Sequence, residues 1–286
     1  MNLRMTKDDS VVILIATLFL VGVTALGWWV LGPAALVLLP VLSTIPLLVV
    51  ILRVYRRLSA QLQGEYRDHE FQRQQDYRQI ESFVSLLFAL KPTFPFPSTR
   101  GWAISPDLLK KIAEVILTEK PGLVIEASSG VSTLVIAYCL KQLGRGRVVS
   151  LEHDPKFVAM NHAIVVSHGL EDIATIVHAP LKEIETHGDK WLWYDLDGLK
   201  IDQPIDLLVV DGPPGNIQKL SRYPALPLLY GLLNRRATIV LDDGNRADEK
   251  RIVALWEKEF SHLSTEFLDM EAGAYVIHKT EQARAT

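Results

Sequence analysis

The 286 residues are enough for one large domain or two small ones. A formal net charge of -3 carries no footprint for nucleic acid, and no nucleic-acid partner is expected. The single cysteine, Cys139, excludes an intrachain disulfide and a thiolate zinc cluster; inside the apolar run Leu134–Leu140 it reads as a small core residue.

Hydrophobic residues make up 49% of the chain, and the excess lies near the N-terminus. Positions 11–52 hold no charged residue and no histidine. At ~1.5 Å per residue, one helix of that length is about twice the thickness of a bilayer core. Gly32-Pro33 supplies a break, so the stretch predicts a hairpin of two transmembrane helices, 11–30 and 34–52. Trp28 and Trp29 would sit at the far interface, and Pro40 and Pro46 fall inside the second span. A cleaved signal peptide would have a shorter apolar core and no second span. Arg4 and Lys7 precede the first span, and Arg53, Arg56 and Arg57 follow the second. The bias places both ends in the cytoplasm and the protein in the cell (inner) membrane as a multi-pass chain.

Residues 54–89 are polar and lack proline, which predicts a helical stalk. Leu58, Leu62 and Tyr66 recur every four residues, a surface for self-association into a homo-oligomer, but the heptads are too broken for a coiled coil. The proline-punctuated Lys91–Pro97 marks a boundary. The expected domains are therefore 1–53, 54–97 and 98–286.

Ser105-Pro106-Asp107 opens a helix running to about Glu119. Leu123-Val124-Ile125 reads as a buried strand closed by Glu126. The small residues Ala127-Ser128-Ser129-Gly130 form a tight loop, and Ser132 and Thr133 are candidate caps of the following helix. Val148–Leu151 is a second strand ending in Glu152. Helix 155–167, strands 174–177 and 207–210, helix 223–233, strand 238–241 and helix 247–260 continue the alternation. Strands 266–270 and 274–278 form a closing hairpin. The segment 187–205, with Trp191, Trp193 and Tyr194, is the least regular part and reads as a β-excursion or a lid. Strand–helix alternation of this kind predicts an α/β domain with a mostly parallel sheet.

E-A-S-S-G-V-S-T (Glu126–Thr133) followed by S-L-E-H-D (Ser150–Asp154) resembles the first two motifs of class I S-adenosylmethionine-dependent methyltransferases, in the branch whose first motif reads E-x-G-S-G-x-S-T. The resemblance continues in D-L-L-V-V-D-G-P-P-G (Asp206–Gly215) and I-V-L-D-D (Ile239–Asp243), covering roughly Thr99 to His278. Ser128 stands where the family has glycine, and a positive φ there would strain the serine.

The resemblance implies a Rossmann-like sheet with an antiparallel last strand and helices on both faces. It implies S-adenosyl-L-methionine as cofactor. Glu126 and the Ser128, Ser129 and Gly130 backbone, with Ser132, would hold the methionine end. Glu152 would hold the ribose, His178-Ala179-Pro180 would border the adenine, and His153 is a further cofactor-binding candidate. Asp211 would face the methionine end or the reaction centre and is the candidate catalytic residue.

Asp211, Asp242 and Asp243 end neighbouring strands, an arrangement similar to that of catechol-type O-methyltransferases, where acids at these two strand ends and an amide hold a divalent metal; Asp243 stands where the amide would be, and Mg2+ is the metal implied. The alternative is that Asp243 caps the next helix or pairs with Arg246. His153, His178 and Lys219 are candidate bases by position only. The expected function is a membrane-anchored methyltransferase acting on an oxygen of a small-molecule, glycan or lipid-linked acceptor. Two rivals stand beside it. A nicotinamide-dependent oxidoreductase needs G-x-G-x-x-G, and this loop has one glycine. A non-catalytic, membrane-tethered module would keep the fold without the activity.

Overall fold

The computed structural model describes residues 7–32, 35–101 and 103–280. The chain divides into two compact units between Gln74 and Gln75. Helix α1 (Lys7–Leu31) ends at the expected break, where Gly32 takes a φ of 54°, and helix α2 (Ala35–Leu90) starts just beyond it. The second span and the stalk are thus parts of one helix. Among the described residues no helix is long and apolar enough to cross a membrane. The expected spans 11–30 and 34–52 include positions outside the described residues.

The second unit begins inside the stalk. The end of α2 is packed rather than solvated: Leu86 and Leu90 are buried in its core. Helix α3 (Pro106–Glu119) starts where the sequence predicts, on Ser105, whose hydroxyl makes no bond to the first turn's backbone. Ser105 Oγ donates to Asp107 Oδ1 at 2.6 Å, and the Asp107 carboxylate takes the Leu108 N–H.

A seven-stranded sheet follows, in the order β3-β2-β1-β6-β7-β9-β8. Strands β1 (Leu123–Ala127), β2 (Arg147–Glu152), β3 (Ala174–His178), β6 (Ile205–Val210) and β7 (Leu233–Asp242) are parallel. β8 (Leu263–Leu268) and β9 (Ala274–Lys279) form the antiparallel closing hairpin, with β9 inserted against β7. The central strand β1 is buried throughout, as its apolar run requires. Val124 joins the core shared with α3 and α4 (Val131–Leu143), while Leu123, Ile125 and Ala127 join the core on the other face, with α7 (Ala247–Glu259). That alternation turns Glu126 toward α4. Helix α5 (Pro155–Ser167) starts on Asp154, whose side chain accepts from the Lys156 N–H at 2.8 Å.

One expectation is corrected. The helix at 223–233 shrinks to α6 (Ala225–Leu229) and one 3-10 turn, and Leu233 already begins β7. Pro224 and Pro227 remove amide donors there and shorten the helix. The irregular segment contains β5 (Asp189–Tyr194), paired antiparallel with β4 (Leu181–Thr186) in a separate two-stranded sheet. This is the excursion the sequence allowed, with Trp193 and Tyr194 buried rather than displayed.

Candidate active site

The parallel strands end on one edge, and the polar residues at their ends gather there. Ser128 follows β1 with a φ of 106°, so the strain expected for a serine at this position is present. Its amide donates to Leu151 O at 3.0 Å, pinning the loop to β2. The helix cap differs from expectation: α4 starts on Gly130, and Thr133 Oγ1 accepts the Gly130 N–H at 3.1 Å. Ser132 and Thr133 also turn inward. Their hydroxyls and that of Ser150 are bonded to the Glu126 carboxylate. Burial raises the Glu126 pKa, and the three hydroxyls oppose that rise. The Thr133 and Ser150 hydroxyls donate to Oε2, whereas Glu126 Oε1 is buried without a hydrogen-bond partner.

Glu152 closes β2 and is buried. It accepts from Ser129 Oγ at 2.9 Å and from the Asp154 N–H at 3.1 Å. Asn161, on the first turns of α5, donates to Ser129 Oγ at 2.8 Å and to Ser129 O at 3.1 Å. This anchor was not singled out from sequence, where it looks like any polar residue in a helix. His153 places Nδ1 3.2 Å from Glu152 Oε1 and its ring edge-on to Tyr194. The buried Ala179 donates its N–H to Glu152 O at 2.7 Å. His178 and Lys219 are both exposed.

Tyr194 reaches the same edge from β5. A Cβ built on Gly212 would lie 2.2 Å from its hydroxyl and 3.1 Å from Ser128 Cβ, so Gly212 is needed for this close approach. Burial, reinforced by the charges of Glu152 and Asp211, pushes the Tyr194 pKa well up, so the phenol stays protonated.

The three aspartates converge as expected. Asp211, Asp242 and Asp243 offer oxygens within 4.8 Å of one another. A residue missed in the sequence lies among them. Arg222 is 3% exposed. Its Nη2 donates to Asp211 Oδ1 at 3.1 Å and to Asp243 Oδ2 at 2.6 Å, and its Nη1 donates to Asp242 O at 2.9 Å. Nη1 also lies 3.7 Å from Glu249 Oε1. Arg246 Nη1 meets Asp243 Oδ2 at 2.8 Å, the pairing weighed as the alternative to a metal. Asp242 Oδ1 accepts the Asp243 N–H at 2.6 Å. Asp243 is held at a φ of 61°, which aspartate tolerates better than most residues. Burial works against the Arg222 charge, but Asp211, Asp243 and Glu249 outweigh it and hold its pKa up. Burial and the Asp243 charge push Asp242 to about 6. Burial also raises Asp211 well above the ordinary carboxylate range, against the pull of Arg222.

Residues 126–244 match the family model described as a methyltransferase domain. The match spans less than half of the chain, from the end of β1 to just past the end of β7, and makes that stretch similar to a methyltransferase domain. Among solved structures, a putative O-methyltransferase from Klebsiella pneumoniae is 16% identical with a TM-score of 0.50, over 71% of this chain and 99% of that one. The SAH-bound Podospora anserina methyltransferase PaMTH1 is 16% identical with a TM-score of 0.49, over 70% and 88%. The O-methyltransferase from Bacillus cereus in complex with SAH is 17% identical with a TM-score of 0.48, over 70% and 91%. No curated protein matches the chain by sequence.

Proposed function

We propose that the protein binds S-adenosylmethionine at the carboxyl edge of β1 and β2 and transfers its methyl group to an oxygen acceptor. The observation that carries this reading is Glu126 Oε1, a buried carboxylate oxygen left without a donor beside a loop of small residues. Buried polar atoms are rarely left unpaired, and a ligand amine satisfies such an oxygen. The site fits the cofactor in other respects. A Cβ on Gly130 would meet nothing within 4 Å, so the mouth of the loop is open.

Bound there, the cofactor supplies an electrophilic methyl on a sulfonium. The protein's own part is alignment, exclusion of water and management of the acceptor's proton. Glu126, Ser128, Ser129 and Gly130, backed by Ser132, hold the amino-acid end. Glu152 holds the ribose hydroxyls, with Ser129 and Asn161 fixing its carboxylate. His153 and Ala179 flank the base. Asp211 closes β6 at the reaction edge, and its raised pKa makes it a better proton acceptor than an exposed aspartate.

The reading includes attachment to the cytoplasmic face of the cell membrane through 11–52, which supports a small-molecule, glycan or lipid-linked acceptor near that surface. Its support is the charge-free sequence, together with the exposed Leu14, Ile15, Leu18, Phe19 and Trp29 of α1. Self-association through the stalk is supported by the exposed Leu62, Tyr66 and Phe71.

The test is calorimetric titration of the detergent-solubilised full-length chain with S-adenosylhomocysteine and with NAD. Micromolar binding of the first and none of the second supports the reading. Binding of neither, by a folded protein, leaves a tethered module of methyltransferase fold. Membrane attachment is tested separately by fractionation: a protein released by salt or carbonate is not integrally inserted.

A further inference from the structure

We infer that Arg222 occupies the place of a divalent cation at the carboxyl edge, so that the site works without a metal and Arg222 is a positioning residue for Asp211. The inference rests on the methyltransferase reading above and concerns how that site is charged.

Three carboxylates whose oxygens lie within 4.8 Å of one another would suit a hard cation. Here the space between two of them is already filled by a single nitrogen. Nη2 of Arg222 bridges Asp211 Oδ1 and Asp243 Oδ2 at 3.1 and 2.6 Å. A magnesium ion would need those oxygens at about 2.1 Å, which puts it against the same nitrogen. Two of the three carboxylates carry further bonds. Asp243 Oδ2 takes a second guanidinium from Arg246 at 2.8 Å, and Asp242 Oδ1 takes a backbone N–H at 2.6 Å.

Nor is the arginine a surface residue that can swing away. It is 3% exposed, its Nη1 is bonded to Asp242 O at 2.9 Å, and Glu249 stands behind it. Removing it would leave buried carboxylates uncompensated. The guanidinium is planar and permanently charged, so it fixes the direction of the Asp211 carboxylate as well as its charge. A lysine would keep the charge and lose the bridge geometry. In the metal enzymes a divalent ion holds the acceptor and lowers its pKa. Here the fixed cation instead orients Asp211, and the acceptor's proton is left to a protein carboxylate.

The experiment measures Mn2+ binding by electron paramagnetic resonance on the full-length chain, and calorimetric binding of S-adenosylhomocysteine with and without chelator. The wild type is expected to bind no Mn2+ at micromolar concentration, and chelator to leave S-adenosylhomocysteine affinity unchanged. Arg222→Met opens the acidic pocket, and micromolar Mn2+ binding appears. Adding Asp243→Asn removes that binding, and Arg222→Lys restores the indifference of the wild type. Stoichiometric Mn2+ binding by the wild type, abolished by Asp243→Asn alone, overturns the inference whatever the stability of the Arg222 variants. A folded Arg222→Met protein that still ignores Mn2+ overturns it as well. Absence of S-adenosylhomocysteine binding would instead strike the methyltransferase reading, since the Mn2+ measurements do not depend on it.

Discussion

Ser128 sits at a φ of 106°, and its amide bonds Leu151 O. A non-glycine residue in such backbone costs ~1–3 kcal/mol when the surroundings enforce it. Glycine there removes that strain and costs ~0.5–1 kcal/mol through the freedom it gives the unfolded chain. The difference favours Ser128→Gly by about 1 kcal/mol, which for a domain of this size is about 2–4 °C in Tm. The amide-to-Leu151 bond survives the substitution. The assay is thermal unfolding followed by near-ultraviolet circular dichroism, which reads the packing of the buried Trp193 and Trp256. S-adenosylhomocysteine affinity should be equal to or better than that of the wild type, because the loop keeps its shape. An unchanged or lowered Tm would refute the strain argument and show that the Ser128 side chain contributes more than its cost.

Other substitutions read other parts of the site. Glu152→Ala removes the acceptor of two ribose hydroxyls; with charged hydrogen bonds worth ~1.5–3 kcal/mol each, S-adenosylhomocysteine affinity should fall at least about tenfold. Gly212→Ala forces the Tyr194 hydroxyl aside and should cost ~1–3 kcal/mol by overpacking, with Tyr194→Phe recovering most of it, both read by Tm. Asp242 has a folded pKa of about 6, above its unfolded value. The native state therefore binds the extra proton, and stability from this group is lost as pH rises through about 6. With ~1.4 kcal/mol per unit, up to about 3 kcal/mol is at stake. Asp242→Asn should therefore gain on the wild type in Tm at pH 8 and lose that advantage at pH 5; a gap independent of pH would contradict the assignment.

Much of this edge was legible because its signals are local. The apolar run Leu123–Ile125 and the small-residue loop after Glu126 each declare an element within a few residues, and β1 and α4 follow. The prolines at 224 and 227 were equally visible, yet the apolar run around them outweighed them in the reading, and the helix is shorter. β4 was hidden because Leu181–Thr186 mixes lysine and glutamate into a half-exposed hairpin. Arg222 was hidden for a different reason: its partners are 11 and 21 residues away in the chain, and only the fold brings them together. A signal existed, since an arginine within the apolar stretch Leu220–Leu229 demands buried carboxylates. Thr133 does close the first turn of α4 by accepting the Gly130 N–H, as read, while also donating to Glu126; Ser132 was read as a cap because hydroxyls at a helix start usually are, but it too bonds the buried Glu126 carboxylate.

The central claim is that the loop after β1 and the acid ending β2 form the cofactor cradle. Hydrogen exchange of the full-length chain with and without S-adenosylhomocysteine tests it most directly. The account predicts new protection at 126–133 and 152–154, with smaller changes near 178–180 and at Asp211. Protection elsewhere, or binding that leaves those amides unchanged, would contradict it.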